Sequence, residues 1–123
     1  MAKILIVEDN DMLNTAYTFM LTSQGHEVAS AFDGLDGLEH ASTFEPDIIL
    51  LDYLMPRLDG KGFLQRYNAK NDHPDVKILL LTNLSDEEKI QESIQMGVFK
   101  HLLKAKFEPH QLVEIIDEIN SPQ

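Results

Sequence analysis

The sequence contains no cysteine, and its basic residues are few compared with its acidic ones. Without cysteine the chain can form neither a disulfide framework nor a thiolate metal site, which is compatible with a cytoplasmic location. The 10 Lys and Arg residues face 21 Asp and Glu residues, so the formal net charge is −11. Because this charge repels phosphate backbones and anionic lipids, we expect no direct binding of nucleic acid or membranes.

Long apolar runs are also missing: none approaches the roughly 18 residues that span a bilayer. Residues 1–3 lead straight into a short apolar run and then into acids, which does not match a signal peptide. With 123 residues, 43% hydrophobic and 25% charged, the composition is typical of one soluble globular domain. We therefore expect a single cytoplasmic domain over residues 1–123 with a tail at 120–123, although residues 121–123 also look like the start of a linker to a further domain.

What the sequence does contain is a regular alternation of apolar runs and helical patterns. Residues 4–7, 48–51 and 78–81 are unbroken apolar runs, as expected for strands that are buried on both faces of a parallel sheet. Residues 98–103 predict another strand, and residues 26–31 a weaker strand near an edge. A helical pattern follows each strand, so we predict an α/β fold with a doubly wound, five-stranded parallel sheet built from (βα)5 units.

Chemically capable residues follow four of the predicted strands. They are Glu8, Asp9, Asp52, Thr82 and Lys104. Because the carboxyl ends of parallel strands lie along one edge, these side chains should converge there. Taken singly, each has an ordinary explanation as a helix-terminal charge, a strand-end cap or a surface cation. Taken together, three carboxylates fit a Mg²⁺ site, and the hydroxyl and the ammonium fit a bound phosphoryl group.

The motifs that carry these residues resemble the response-regulator receiver domains of two-component signalling along the whole chain. They are residues 4–10, residues 46–56 with Asp59-Gly60, Leu81-Thr82 and Leu103-Lys104. The resemblance implies the flavodoxin-like strand order 2-1-3-4-5. It also suggests a stand-alone, chemotaxis-type single-domain receiver, which is not an enzyme but promotes its own phosphorylation.

By the same resemblance Asp52 is the phosphoacceptor, and Thr82 and Lys104 engage the phosphoryl group. Glu8, Asp9, Asp52 and the backbone carbonyl of Leu54 would hold Mg²⁺, with Mn²⁺ as an alternative ion. The phosphoryl donor would be a sensor histidine kinase or a phosphotransfer protein. Phosphorylation would move Thr82 and so change a surface that binds a downstream protein; the last strands and helices are a candidate homodimer surface.

Several positions depart from the family pattern. His101 stands at the switch-aromatic position, where its charge could make the output depend on pH, although a neutral ring filling the same space is the simpler interpretation. Ala105 replaces the usual proline after the lysine, so the geometry of that peptide bond is open. Asn83 replaces a small residue after Thr82, where it could crowd the phosphoryl pocket or donate an extra hydrogen bond.

The positions two residues beyond Asp52 and Thr82 are both leucine, Leu54 and Leu84. Residues at these positions influence dephosphorylation in the family, and an apolar side chain cannot orient an attacking water. We therefore expect the aspartyl phosphate to hydrolyse slowly.

Other site types fit less well. The five histidines show no metal-ligand spacing and are interpreted as surface or loop residues. A small aspartyl-nucleophile phosphatase or phosphotransferase of the haloacid dehalogenase type would place its D-x-D motif after the first strand, and here Tyr53-Leu54 supplies no second acid after Asp52. A flavodoxin-like FMN carrier would need a Ser, Thr and Gly-rich loop where residues 8–11 are mostly acidic.

Overall fold

A computed structural model describes residues 1–83, 87–106 and 108–120. Its centre is a five-stranded, fully parallel sheet with the order β2-β1-β3-β4-β5, which confirms the predicted fold and strand order. The strands are β1 Lys3–Val7, β2 Glu27–Ala31, β3 Ile48–Asp52, β4 Lys77–Thr82 and β5 Val98–Leu103. The weak strand at residues 27–31 lies at an edge, as expected.

Helices cover both faces of this sheet. They are α1 Asp11–Ser23, α2 Gly34–Phe44, α3 Gly60–Tyr67, α4 Ala69–Asp72, α5 Glu87–Gln95 and α6 Pro109–Asn120, with a 3₁₀ turn at Lys104–Lys106. Alternate residues of the central strands point to opposite faces and build two cores, one beneath α1 and α6 and the other beneath α2, α3 and α4. Each fully buried Leu or Ile side chain stabilises the fold by about 1.5–3 kcal/mol. The buried strands therefore hold the residues at their ends in defined positions.

Short polar residues and glycines set the helix boundaries. Asn10, Asp33 and Asp59 precede α1, α2 and α3, and each side chain accepts a hydrogen bond from a backbone N–H of the first turn. Gly25 and Gly97, with φ of 90° and 107°, turn the chain after α1 and α5 in a conformation that other residues rarely adopt.

The third helix is interrupted, which the sequence pattern did not predict. Phe63, Leu64 and Tyr67 predict a helix to about Lys70, but α3 ends at Tyr67 because Asn68 adopts a left-handed conformation with φ of 53°. The short helix α4 then continues the chain toward β4. The sequence predicts a capping box from Ser85 to Glu88 and a tail at 120–123; residues 85, 86 and 121–123 lie outside the described part of the chain.

None of the helices in the described part of the chain combines the length and apolar character that a bilayer span requires.

Candidate functional site

Strand register brings the predicted site residues to one edge of the sheet. Val7 pairs with Leu51, so Glu8 and Asp52 follow at the same level on the two central strands. Thr82 pairs with Leu103, so Lys104 begins just beyond Thr82 on the edge strand. Glu8 and Lys104, which are 96 positions apart in the sequence, therefore meet at the carboxyl end of the sheet.

Three carboxylates form the acidic part of this site. Glu8, Asp9 and Asp52 each offer an oxygen, and these oxygens all lie within 4.8 Å of one another. Glu8 and Asp52 are only 2% and 6% exposed, whereas Asp9 faces solvent. Glu8 is oriented by its Oε2 atom, which accepts a hydrogen bond of 3.0 Å from the backbone N–H of Asn10.

Lys104 supplies the positive charge. Its Nζ lies 2.6 Å from Glu8 Oε1 and 3.4 Å from Asp52 Oδ2, and its side chain is 16% exposed. The lysine is the first residue of the 3₁₀ turn that follows β5. A single ammonium group thus bridges the two buried carboxylates, and three carboxylates against one ammonium leave the site with an excess of negative charge.

The electrostatics of the site reflect this excess. Burial and the nearby charge of Glu8 raise the pKa of Asp52 to about 7, although the charge of Lys104 acts in the opposite direction. Burial acts to lower the pKa of Lys104, but its contacts with Glu8 and Asp52 outweigh burial and raise this pKa. A divalent cation at the three carboxylates would relieve the repulsion, and the all-oxygen donor set is the kind that Mg²⁺ prefers.

Thr82 and His101, the two predicted switch residues, lie on the adjacent strands β4 and β5. Thr82 ends β4 and is 1% exposed, while the next residue, Asn83, faces solvent. His101 pairs with Leu80 in the sheet and is partly buried. Its Nε2 is inaccessible to solvent and has no hydrogen-bond partner among the described residues.

The remaining predicted positions are Leu54, Leu84 and the peptide bond after Lys104. Leu54, two residues after Asp52, is 61% exposed, so its apolar side chain lies largely in solvent. Leu84 lies outside the described residues. No cis peptide bond occurs in the described part of the chain, which includes the bond between Lys104 and Ala105.

Asn14 and His26 are among the buried polar residues that were not identified from the sequence. Asn14 of α1 is 1% exposed, and its side-chain amide donates hydrogen bonds of 3.0 Å to the carbonyls of Glu8 and Ala31. It ties α1 to the two strands beside the acidic cluster. His26, interpreted as a surface or loop residue, lies in the loop just before β2, but it is 7% exposed and therefore not on the surface. Asn14 could have been identified from the sequence, because it falls on the apolar side of the amphipathic pattern of α1. No such pattern distinguishes His26.

Comparisons with known proteins agree with this geometry. The family model described as response regulator receiver domain matches residues 4–117. The transcriptional regulatory protein AfsQ1 of Streptomyces coelicolor is 35% identical over 104 residues, which are 85% of this chain and 45% of that protein. The chain thus spans about half the length of this relative.

Two further similar proteins are close to this chain in size. Sporulation initiation phosphotransferase F of Bacillus subtilis is 28% identical over 117 residues, covering 95% of this chain and 90% of that protein. The structure of the chemotaxis protein CheY4 of Vibrio cholerae superimposes with a TM-score of 0.86 at 30% identity, covering 97% of this chain and 98% of that one. Similar proteins therefore include both longer regulators and single-domain chains.

Proposed function

Since the chain belongs to the response regulator receiver domain family of two-component signalling, we propose that Asp52 is its phosphoacceptor. The observation that carries this proposal is the contact of Lys104 with two buried carboxylates, Glu8 and Asp52, inside a three-carboxylate cluster. Such a cluster is costly to the fold, since like charges at short distance repel one another. A receiver that uses these charges for phosphoryl transfer provides a reason for that cost.

Glu8, Asp9 and Asp52, with the backbone carbonyl of Leu54, would hold Mg²⁺, or Mn²⁺ in its place. When bound, this ion would offset negative charge on the transferring phosphoryl oxygens. The donor set supports this assignment, because three carboxylate oxygens already lie within 4.8 Å of one another.

Asp52 would attack the phosphorus atom of a phosphohistidine on a partner protein. The new bond joins an Asp52 oxygen to phosphorus, the phosphorus–nitrogen bond breaks, and the imidazole leaves with the electron pair. Lys104, 3.4 Å from Asp52 Oδ2, would stabilise charge on the phosphoryl oxygens as the bonds change. The chain would thus promote its own phosphorylation by positioning and electrostatics, as a signalling domain and not as an enzyme that turns over a substrate.

Thr82 and His101 would convert the phosphoryl group into a change of surface. Thr82 would move its hydroxyl toward the phosphoryl oxygens, and the loop after β4 would follow. His101, on the neighbouring strand, would adjust its ring to the space that Thr82 leaves. Comparing the phosphorylation-dependent change of this surface at pH 6 and pH 8 tests whether protonation of His101 contributes; equal changes would exclude that contribution.

Slow hydrolysis of the phosphoryl group is part of the proposal. Leu54 is exposed at the site and has no polar atom to orient a water molecule toward phosphorus. We therefore expect a phosphorylated state that persists in the isolated protein. Rapid loss of phosphate at a rate typical of fast chemotaxis receivers would contradict this part.

The partners would be a sensor histidine kinase or a phosphotransfer protein on the donor side and a protein target on the output side. Relatives named for such roles, a hybrid histidine kinase of Dictyostelium discoideum and a Bacillus subtilis phosphotransferase, support the donor class. The stand-alone, chemotaxis-type organisation, the single domain over residues 1–123 and a homodimer through the last strands and helices stay predictions.

Intact-mass measurement after incubation with Mg²⁺ and a small phosphodonor tests the assignment of Asp52. Wild type should gain one phosphate, and Asp52→Asn, which preserves the shape of the side chain, should gain none. Asp47→Asn is the matched control, since Asp47 lies at the opposite end of β3, and it should be phosphorylated like wild type. Turnover of added phosphomonoesters would instead favour the aspartyl phosphatase alternative.

A further inference from the structure

The loop between β3 and α3, residues 53–59, is held in a way that neither the fold nor the proposed chemistry explains. Its two ends are tied together, since the N–H of Gly60 donates to the carbonyl of Tyr53 at 2.6 Å. The ends are therefore fixed directly beside Asp52. The tip of the loop has to be fixed by something else, and it carries Met55 to Leu58.

The tip contains a strained turn centred on Arg57. The N–H of Leu58 donates to the carbonyl of Pro56 at 2.7 Å, which closes a three-residue turn, and Arg57 has a φ of 67°. A three-residue turn with positive φ at its centre is the rare, strained form, and a side chain other than Gly adds to its cost. An arginine at this position needs a compensating contact.

Asp33, at the start of α2, provides that contact. Arg57 Nη1 lies 3.1 Å from Asp33 Oδ2, and the Asp33 side chain is only 12% exposed. The other oxygen of Asp33 accepts a hydrogen bond of 2.8 Å from the N–H of Asp36 and so caps α2. The carboxylate that holds Arg57 is therefore itself fixed by a helix that packs on the sheet.

Gly34 completes the docking surface for the loop. A Cβ atom added at Gly34 would overlap the carbonyl oxygen of Leu58, so the backbone of the loop tip lies directly on the first residue of α2. Asp33 and Gly34 thus act at adjacent positions on the same loop tip, one through charge and the other through the absence of a side chain.

We propose that Asp33 and Arg57 are positioning residues that hold the loop at residues 53–59 in the geometry needed for Mg²⁺ binding beside Asp52. This inference rests on the proposed function, in which the backbone carbonyl of Leu54 is a ligand of the ion. With the loop ends fixed at Tyr53 and Gly60, the ion pair at the tip limits how far Leu54 can move between them.

Three substitutions separate this role from a purely structural one. Asp33→Asn keeps an oxygen that can cap α2 but removes the charge that holds Arg57. Arg57→Gly removes the ion pair and also relieves the positive φ, so its thermal midpoint should stay within about 3 °C of wild type. Gly34→Ala leaves the ion pair chemically intact and displaces the loop tip by steric overlap.

Titration with Mg²⁺ alone, followed by calorimetry and by the backbone amide resonances of residues 53–59, provides the readout. Asp33→Asn and Arg57→Gly should each raise the Kd for Mg²⁺ by about tenfold, the lower end of the effect seen when a ligand loses its supporting contact. The double variant should be no weaker than either single one, because both remove the same interaction. Arg66→Ala, which removes an exposed arginine from the last turn of α3, is the control and should keep the wild-type Kd.

Wild-type Mg²⁺ affinity and unchanged amide resonances in both Asp33→Asn and Arg57→Gly would overturn the inference. A weaker Mg²⁺ affinity in Arg57→Gly that is accompanied by a fall of the thermal midpoint beyond about 3 °C would also overturn it. A general loosening of the fold would then explain the weaker binding. Phosphorylation of Asp52 is measured in the same samples. If wild type binds Mg²⁺ with the predicted dependence on Asp33 but takes up no phosphate, the proposed function fails and the positioning role stands.

Discussion

The two ends of the sheet carry acidic residues in opposite circumstances. At the carboxyl end, Glu8 and Asp52 are buried together beside Asp9 and share one ammonium group. At the amino end, Asp47 is exposed, and its Oδ2 accepts a hydrogen bond of 2.9 Å from the N–H of Lys3. One end concentrates charge that the fold does not neutralise, whereas the exposed carboxylate at the other end is hydrogen-bonded to a neighbouring strand.

The buried His26 at the amino end is only partly satisfied by hydrogen bonds. His26 Nδ1 accepts a hydrogen bond of 3.0 Å from the N–H of Ala2, whereas Nε2 is buried without a hydrogen bond among the described residues and lies 4.0 Å from Asp117 Oδ1 on α6. Backbone bonds from Asp47 to Lys3 and from Lys77 to Asp47 join the three strands there. The difference teaches that this fold keeps its electrostatic conflict at the end where a cation and a phosphoryl group can resolve it.

The largest expected effect concerns the lysines at the two ends. Lys104→Met should lower the free energy of unfolding by about 3 kcal/mol in the absence of Mg²⁺, because it leaves two buried carboxylates without a cation. Lys77→Met removes a lysine whose Nζ lies 5.1 Å from the Phe99 ring centroid, a contact worth about 0.5–1 kcal/mol at exposed sites. Urea unfolding of both variants measures the comparison, and equal losses would contradict it.

The aspartates should respond with opposite signs. Because the pKa of Asp52 is raised in the folded state, protonated Asp52 stabilises the fold. This contribution is fully present below about pH 4 and is lost as the pH rises through about 7. Asp52→Asn should therefore stabilise the protein on the order of 2 kcal/mol at pH 8, and less at pH 5. Asp47→Asn should leave the free energy of unfolding unchanged or lower it by at most about 1 kcal/mol, since it weakens an exposed charge-assisted hydrogen bond. A loss of stability in Asp52→Asn at pH 8 would contradict the expected difference in sign between the two aspartates.

Mg²⁺ should bind at the carboxyl end of the sheet only, so the stability that it adds should depend on residues there and not on Asp47. At a concentration ten times its Kd, the ion should add about 1.4 kcal/mol to the free energy of unfolding by mass action. Asp9→Asn should abolish most of this gain, because Asp9 is the exposed carboxylate of the cluster and its loss should disturb the fold little. Asp47→Asn should retain the full gain. Thermal melts with and without Mg²⁺ measure both, and a gain that persists in Asp9→Asn would remove this residue from the metal site.

The smallest effect concerns acid at the amino end. Burial and the N-terminal charge lower the pKa of His26, against the attraction of Asp117. A lowered pKa in the folded state means that the stabilising effect of neutral His26 is present above about pH 6.5 and is lost as the pH falls below that value.

His26→Asn, whose oxygen can still accept from Ala2, should reduce the loss of stability between pH 7 and pH 5 by up to about 1 kcal/mol. His110→Asn is the control, since His110 is exposed on α6 and should leave the pH dependence unchanged. Denaturant unfolding at the two pH values measures both variants. The same acid sensitivity in His26→Asn as in wild type would show that other groups are responsible.

Much of the fold could be predicted because the relevant signals are local. Unbroken apolar runs at residues 48–51 and 78–81 predict buried parallel strands, and the residues just beyond them predict the site. The break after Tyr67 was not predicted, although Asn68 belongs to a residue type that adopts the left-handed conformation more readily than most. Likewise His26 is buried by its contacts with Ala2 and with α6, which lie far from it in sequence.

By itself, the amino-acid sequence determined the order of strands and helices and which residues end each strand. It thereby determined that Glu8, Asp52, Thr82 and Lys104 would meet, because strands of a parallel sheet end at a common edge. Only the tertiary structure decided how they meet: that Lys104 contacts Glu8 more closely than Asp52, and that Arg57 reaches Asp33 across two loops. These contacts depend on distances between side chains of separate elements, which are set by packing and leave no pattern along the chain.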